Sequence, residues 1–308
     1  MKKFLLKSLF FLLPVLLLFT AVEGYIRNST NSFISKANYL NNNTNAIEVL
    51  VLGTSHNQNG VNPKYFSNPT CNLAYASQNI QLDSAVFFST AKRIKNLKKV
   101  IFEMDYHRME IDSDDKMYRL PWYYIYYGIE IYPVSLMNKY SLYSSNTTFF
   151  NNIILDDIKN KEKAKLINEF GFVEKNYSNE FEQLDYDSLK IDARATKRLK
   201  NRHKELSIEA FKKNQKRLES IITYCKNNKI ELYFFSSPLY VTYVKNKIPE
   251  KEIRFKNYIN ELIAKHHINY HNFENSKKFK ITDFSNEDHL NAIGAEKYSK
   301  TIDSIIHK

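Results

Sequence analysis

The chain has 308 residues, 43% hydrophobic and 14% aromatic, enough to bury one α/β core carrying an insertion. Its 45 lysines and arginines outnumber 33 acidic residues and leave a formal charge of +12. The lysines are scattered among Asn, Ile and Tyr without a compact stripe or a nucleic-acid motif, which argues against a nucleic-acid partner. Cys71 and Cys225 make neither a disulfide framework nor a metal-ligand cluster, and no repeat, P-loop or dinucleotide fingerprint occurs, so no metal or cofactor is expected.

Met1-Lys2-Lys3 precedes an apolar run from Phe4 to Val22, interrupted by Lys7, Pro14 and a few small or polar residues. Positive charge ahead of such a run sets its N-terminus in the cytoplasm, and about 20 apolar residues span a bilayer. The following Glu23-Gly24-Tyr25-Ile26-Arg27 shows no Ala-x-Ala site and no cysteine for a lipid. An N-terminal transmembrane signal anchor is therefore favoured over a cleaved signal peptide. The expected organisation is an anchor with its flank over 1–27 and a domain over 28–308 outside the cytoplasm. Residues 28–45, rich in Asn, Ser and Thr, read as a tether and first helix.

A strand over 47–53 ends in Gly53-Thr54-Ser55-His56. Continuous Val/Leu runs are typical of buried parallel strands, whose carboxyl ends line the ligand crevice of open α/β sheets. Ser55 there is a candidate nucleophile, although alone it reads more simply as a helix N-cap. Helical spacing over 79–96 leads to a strand over 98–103, with Glu103, Asp105 and His107 at its end. Residues 108–204 form a mid-chain insertion. Its run Trp122-Tyr123-Tyr124-Ile125-Tyr126-Tyr127 suits sugar stacking, a membrane interface or a partner surface, and equally a packed lid. Its stretch 192–204 is basic, a solvated face or an anion-binding one.

Regular α/β alternation then resumes, with a helix over 205–227, a core strand over 230–235 ending at Ser236-Ser237-Pro238, a helix over 249–266 and a strand over 268–273. The last motif, Asp283-Phe284-Ser285-Asn286-Glu287-Asp288-His289-Leu290-Asn291, precedes a closing helix over 291–306. Its bland reading is an Asn286 or Asp288 cap with His289 packed beside it. A hydroxyl nucleophile, however, needs a base, and the base needs a third group to fix its tautomer. His289 and its acidic and amide neighbours could supply both to Ser55.

Together the two motifs resemble the SGNH (GDSL-like) hydrolase and acyltransferase superfamily, whose nucleophilic serine follows the first strand and whose Asp-x-x-His block precedes the last helix. Gly60-Val61-Asn62-Pro63, Asn72-Leu73-Ala74-Tyr75-Ala76-Ser77-Gln78 and His289-Leu290-Asn291 with Gly294-Ala295 look like its membrane-anchored, cell-envelope branch. The matches cover roughly 46–105 and 215–305. The resemblance implies an α/β, three-layer SGNH-like (flavodoxin-like) parallel sheet, with Ser55 as nucleophile and His289 as base.

The chain departs from that pattern in two places. Where the family usually has aspartate three residues before the histidine, this chain has Asn286. An amide can orient an imidazole but cannot stabilise its cation, and the equivalent change in a serine triad costs about 10⁴ in turnover. Asp288 or Asp283 is therefore expected to be the orienting acid, with Asn286 as the amide alternative. The family's second-block glycine and third-block Gly-x-Asn are also missing, which leaves the Ser55 N–H with Asn72 or Asn79 as the expected oxyanion donors. The function implied is O-acyl transfer or deacylation on an envelope polysaccharide, beside a membrane-bound O-acyltransferase. The alternative is a catalytically inactive SGNH-like envelope protein that binds glycan or such a partner.

Overall fold

The computed structural model describes residues 2–29, 31–112, 117–159, 166–174, 178–199 and 207–307. In chain order the elements are α1 (Lys2–Asn28), α2 (Ser32–Asn43), β1 (Val49–Leu52), α3 (Ser55–Gly60), β2 (Thr70–Asn72), α4 (Ile80–Thr90) and β3 (Lys99–Glu103). The insertion follows with α5 (Leu120–Tyr127), α6 (Leu136–Tyr140), α7 (Thr147–Lys159) and α8 (Ser188–Leu199). Then come α9 (Ile208–Asn227), β4 (Glu231–Ser236), α10 (Val241–Lys245), α11 (Pro249–His266), β5 (Asn269–Asn272), the short strands β6 (Phe284–Asn286) and β7 (His289–Leu290), and α12 (Ala292–Ile306).

The main sheet has five parallel strands in the order β2-β1-β3-β4-β5. Every residue of β1 is buried, as its unbroken Val-Leu-Val-Leu requires of a strand covered on both faces. Alternate side chains enter separate cores. Leu50, Leu52, Val100, Phe102 and Phe234 pack with Phe33, Phe87 and Leu218, whereas Val49, Val51, Ile101 and Phe235 pack with Leu290, Tyr298 and Ile302. Each fully buried aliphatic or aromatic side chain contributes about 1.5–3 kcal/mol, so both faces hold the sheet. The chain leaves β1 for β2 on one side and returns to β3 on the other. The strand order thus reverses between β1 and β3, and the region beyond their carboxyl ends is the usual ligand position in such sheets.

α1 is 27 residues long with a mean hydropathy of 2.3 over its most apolar window, long and apolar enough to cross a bilayer at about 1.5 Å per residue. Phe4, Phe10, Phe11, Leu16 and Leu18 are exposed on it. Its far end does not dissolve into a tether. The helix runs to Asn28, and Asn31 caps α2 by accepting the Phe33 N–H. The span 28–45, expected as a tether and first helix, is mostly that helix, because Phe33, Ile34, Ala37 and Leu40 all enter the core. The Glu23 carboxylate accepts from Ser141 Oγ and from the Leu142 and Tyr143 N–H groups at 2.9–3.1 Å, fastening α1 to the insertion.

The aromatic run of the insertion is α5, and it is packed inward. Phe33 of α2 meets the rings of Trp122, Tyr123, Tyr126 and Tyr127 at centroid distances of 5.2–6.0 Å. Trp122, Tyr123 and Tyr127 are buried in the core, while Tyr124, Ile125 and Tyr126 are half-buried. The basic stretch 192–204 is seen only as the end of α8; residues 200–206 and the side chains of 196–198 lie outside the described residues.

Candidate active site

The loop that carries Ser55 is shaped by one buried carboxylate. Glu103, at the end of β3, accepts from the Thr54 N–H at 2.7 Å, from Thr54 Oγ1 at 2.5 Å and from the Asn57 N–H at 3.2 Å. These bonds draw the first turn of α3 against the neighbouring strand. The carboxylate fills the space in front of Gly53, where a Cβ would lie 2.4 Å from Glu103 Oε2, and Gly53 has φ +146°, a conformation open mainly to glycine. Thr54, not Ser55, is the N-cap of α3, its Oγ1 accepting the His56 N–H. Ser55 is the first helical residue and stays partly exposed.

Arg108 stands behind the loop, paired with Asp83 and donating to the Glu103 carbonyl. Asp83 in turn accepts the Gly53 N–H at 3.1 Å. Burial pushes Asp83 up to about 6 against the pull of Arg108. Burial acts in the same sense on Glu103, but there Arg108, His56 and Thr54 outweigh it and hold the carboxyl well below its ordinary value. Glu103 is thus an ionised anchor of the loop, secured by the charge pairing a buried carboxylate requires.

The second motif delivers its histidine to the first. β6 and β7 form a small antiparallel ribbon with Asn286 paired to His289 and a register shift between Phe284 and Asn286. His289 is buried, and its Nε2 lies 2.8 Å from Ser55 Oγ across 234 positions of sequence. At the other ring nitrogen, Nδ1 is 3.0 Å from Asn286 Oδ1 and 3.2 Å from Asp288 Oδ1. Asn286 Oδ1 also accepts the N–H groups of Asp288 and His289, while its Nδ2 donates to Ser178 Oγ and Glu180 Oε1 from the insertion. Those donor contacts fix which end of the amide faces the imidazole.

A cavity of about 290 Å³ opens beside this pair. Ser55, His56 and Asp288 line it on one side, and Ser77, Gln78 and Asn79 on another. His107, Arg108 and Ile111 close it from the start of the insertion. Ser77 has φ +60°, an unfavourable conformation for a non-glycine residue, held where Gln58 and Arg119 both bind the backbone of Ala76.

Several expected residues sit elsewhere. Asp283 does not serve His289: its carboxylate accepts the Lys280 N–H at 2.8 Å and pairs with Lys297, tying the ribbon to α12. Asn72 is not an oxyanion donor. Its Nδ2 bonds the carbonyls of Asn57 and Val61 and its Oδ1 takes the Ala74 N–H, so it stitches β2 to α3. Asn79 does line the cavity, with its Oδ1 accepting the Leu82 N–H as the cap of α4. Neither Asn286 nor Asp288 caps the closing helix, since Asn291 does so by accepting the Gly294 N–H.

The sequence reading missed His56 and the Arg108–Asp83 pair. His56 Nδ1 is 2.6 Å from Asp105 Oδ2 and 3.5 Å from Glu103 Oε1, and its Nε2 is 3.8 Å from Asp288 Oδ2. Burial opposes charge on His56, but Asp105, Asp288 and Glu103 outweigh it and raise its pKa well above the usual imidazole range. The visible signal was its place in Gly53-Thr54-Ser55-His56, opposite the Glu103 and Asp105 strand end; Arg108 and Asp83 offered none. Among the described residues, His56 with Asp288 and His289, and His56 with Glu103 and Asp105, bring ligand-type atoms within 4.8 Å of one another. No metal ligand is assigned among them. No protein-family model and no curated protein matches the chain.

Proposed function

We propose that this chain is an SGNH-like serine enzyme with the three-layer arrangement of that superfamily, performing acyl-ester chemistry on a cell-envelope or extracellular polysaccharide. α1 would hold it in the membrane with the main domain outside the cytoplasm, where a membrane-bound O-acyltransferase could supply or receive acyl groups. The 2.8 Å contact of Ser55 Oγ with His289 Nε2, with Ser55 lining a cavity, carries this reading. It is within the reach a general base needs, about 2.6–3.2 Å.

In the reaction, Ser55 Oγ attacks the acyl carbonyl as its proton passes to His289 Nε2. The tetrahedral oxyanion faces the Ser55 N–H, with Asn79 as the side chain on hand. Collapse breaks the ester bond, and His289 returns the proton to the departing alkoxide. A sugar hydroxyl or water then gives its proton to His289 and attacks the acyl-serine, after which the proton returns to Ser55. Asn286 and Asp288 at Nδ1 keep that nitrogen protonated and Nε2 free to accept.

The purified full-length chain in detergent, assayed with a chromogenic acetyl ester beside Ser55→Ala, tests this. Turnover in the wild type that vanishes in the variant is expected, and equal rates in both would remove the enzyme reading. The amide at 286 favours a second reading, an inactive member that retains the fold to bind glycan or its membrane partner. Glycan binding without turnover would establish it.

A further inference from the structure

We propose that His56 is a positioning residue of this site: gripped by Asp105 and Glu103, it presents Nε2 to Asp288 and keeps that carboxylate at Nδ1 of His289. The inference rests on the serine-histidine reading of Ser55 and His289. Neighbouring side chains on regular extended backbone point apart, so a regular strand would not bring Asp288 to the ring of His289. Two features bring it there. The ribbon is irregular between Phe284 and Asn286, and Asn286 Oδ1 gathers the N–H groups of both Asp288 and His289, folding the backbone tightly enough to turn the carboxylate inward.

A carboxylate carried inward must meet positive charge, because burial of an unpaired one is costly. Asp288 is buried, and His56 Nε2 lies 3.8 Å from its Oδ2. A continuous path results, from Asp105 to His56 at 2.6 Å, across to Asp288, then 3.2 Å to His289 Nδ1 and 2.8 Å from Nε2 to Ser55 Oγ. It closes on itself, since Ser55 and His56 are consecutive on the first turn of α3. The groups facing His56 are Asp105 and Glu103 from the end of β3, Asp288 and His289 from the ribbon, and the His107 ring at 5.9 Å. With three carboxylates around it, His56 is held as the imidazolium that Asp288 needs. Asp288 thus stands between two imidazoles, His289 and His56.

The test uses the full-length chain in detergent with selectively labelled histidines. The Nδ1 proton of His289 resonates far downfield when shared with a carboxylate, and it should move upfield in His56→Gln as it does in Asp288→Asn. Turnover of the acetyl ester should fall about tenfold in each variant with KM little changed, and the double variant should be no worse than either single one. An unmoved His289 proton in His56→Gln, or losses that multiply in the double variant, would overturn the proposal. Because the resonance is read without turnover, failure of the enzyme reading is separately visible as equal rates in wild type and Ser55→Ala. Should His56→Gln fail to fold, Asp105→Asn loosens the same grip from behind and must move the same proton.

Discussion

The crevice at the ends of β1 and β3 and the aromatic insertion are both densely packed with polar-tipped side chains, yet they are built on opposite principles. In the crevice Glu103, Asp83, Asp105, Arg108 and His56 are all buried, and each is placed by directional bonds to a partner. Such bonds tolerate little displacement, so they set atoms to within tenths of an ångström and leave an open cavity beside Ser55. In the insertion, Trp122, Tyr123 and Tyr127 close around Phe33 by contacts that ask for area rather than direction. Side chains packed that way fill their space. Aromatic density in this chain therefore fills space, and buried charge fixes geometry around the proposed site.

Ser55→Ala separates the two most sharply. It should lower ester turnover by about 10⁶-fold and leave thermal unfolding unchanged, because Ser55 is only partly buried and loss of its hydroxyl opens no core cavity. Phe33→Ala should do the reverse. Removal of the ring on which four insertion aromatics converge is expected to cost about 4 kcal/mol in urea unfolding followed by circular dichroism, with turnover per folded molecule preserved. A large loss of specific activity in that variant would mean that the insertion and crevice are energetically one unit.

Gly53→Ala probes the seam between backbone and charge. Its Cβ would meet Glu103 at 2.4 Å in a conformation that disfavours alanine, so about 2–3 kcal/mol of stability and most of the turnover should go together. Retained activity would show that Glu103 can step aside. The smallest effect is confined to acid. Glu103 is ordinarily near 4.5 and is depressed in the folded chain, so its contribution to stability is whole above about pH 4.5 and is lost as pH falls toward the native value. The difference in unfolding midpoint between wild type and Glu103→Gln should accordingly shrink on acidification below pH 4.5. A difference that is constant throughout would place the carboxylate's role in shape rather than in charge.

Much of the scaffold could be read from the residues. Val49–Leu52 declared a doubly covered strand, the helix over 249–266 matched its span, and Ser55 and His289 were singled out before their side chains could be seen to meet. β2 went unread because three residues, Thr70–Asn72, are too short for any periodicity to register. Within 28–45 the expected first helix is α2, and little of the span is left as tether, because Asn, Ser and Thr also serve as caps and helix surface once Phe33 and Leu40 have a core to enter. Asp283 was a reasonable acid for His289 by spacing, but Lys297 of α12, beyond the Asn291 cap, claims it.

By itself the sequence determined what was encoded locally: an apolar N-terminal helix, parallel buried strands, a glycine that lets the chain turn before Ser55, and a histidine flanked by polar neighbours. Those follow from hydrophobic periodicity and backbone conformation, which depend on residues close in the chain. Tertiary structure alone decided which carboxylate serves which histidine. Asp105 went to His56, Glu103 to the Thr54 turn, Asp283 to Lys297, and Asn286 with Asp288 to His289. Hydrogen bonds and ion pairs act over about 3–4 Å, and partners separated by tens to hundreds of residues are chosen only when the sheet and ribbon have brought them within that range.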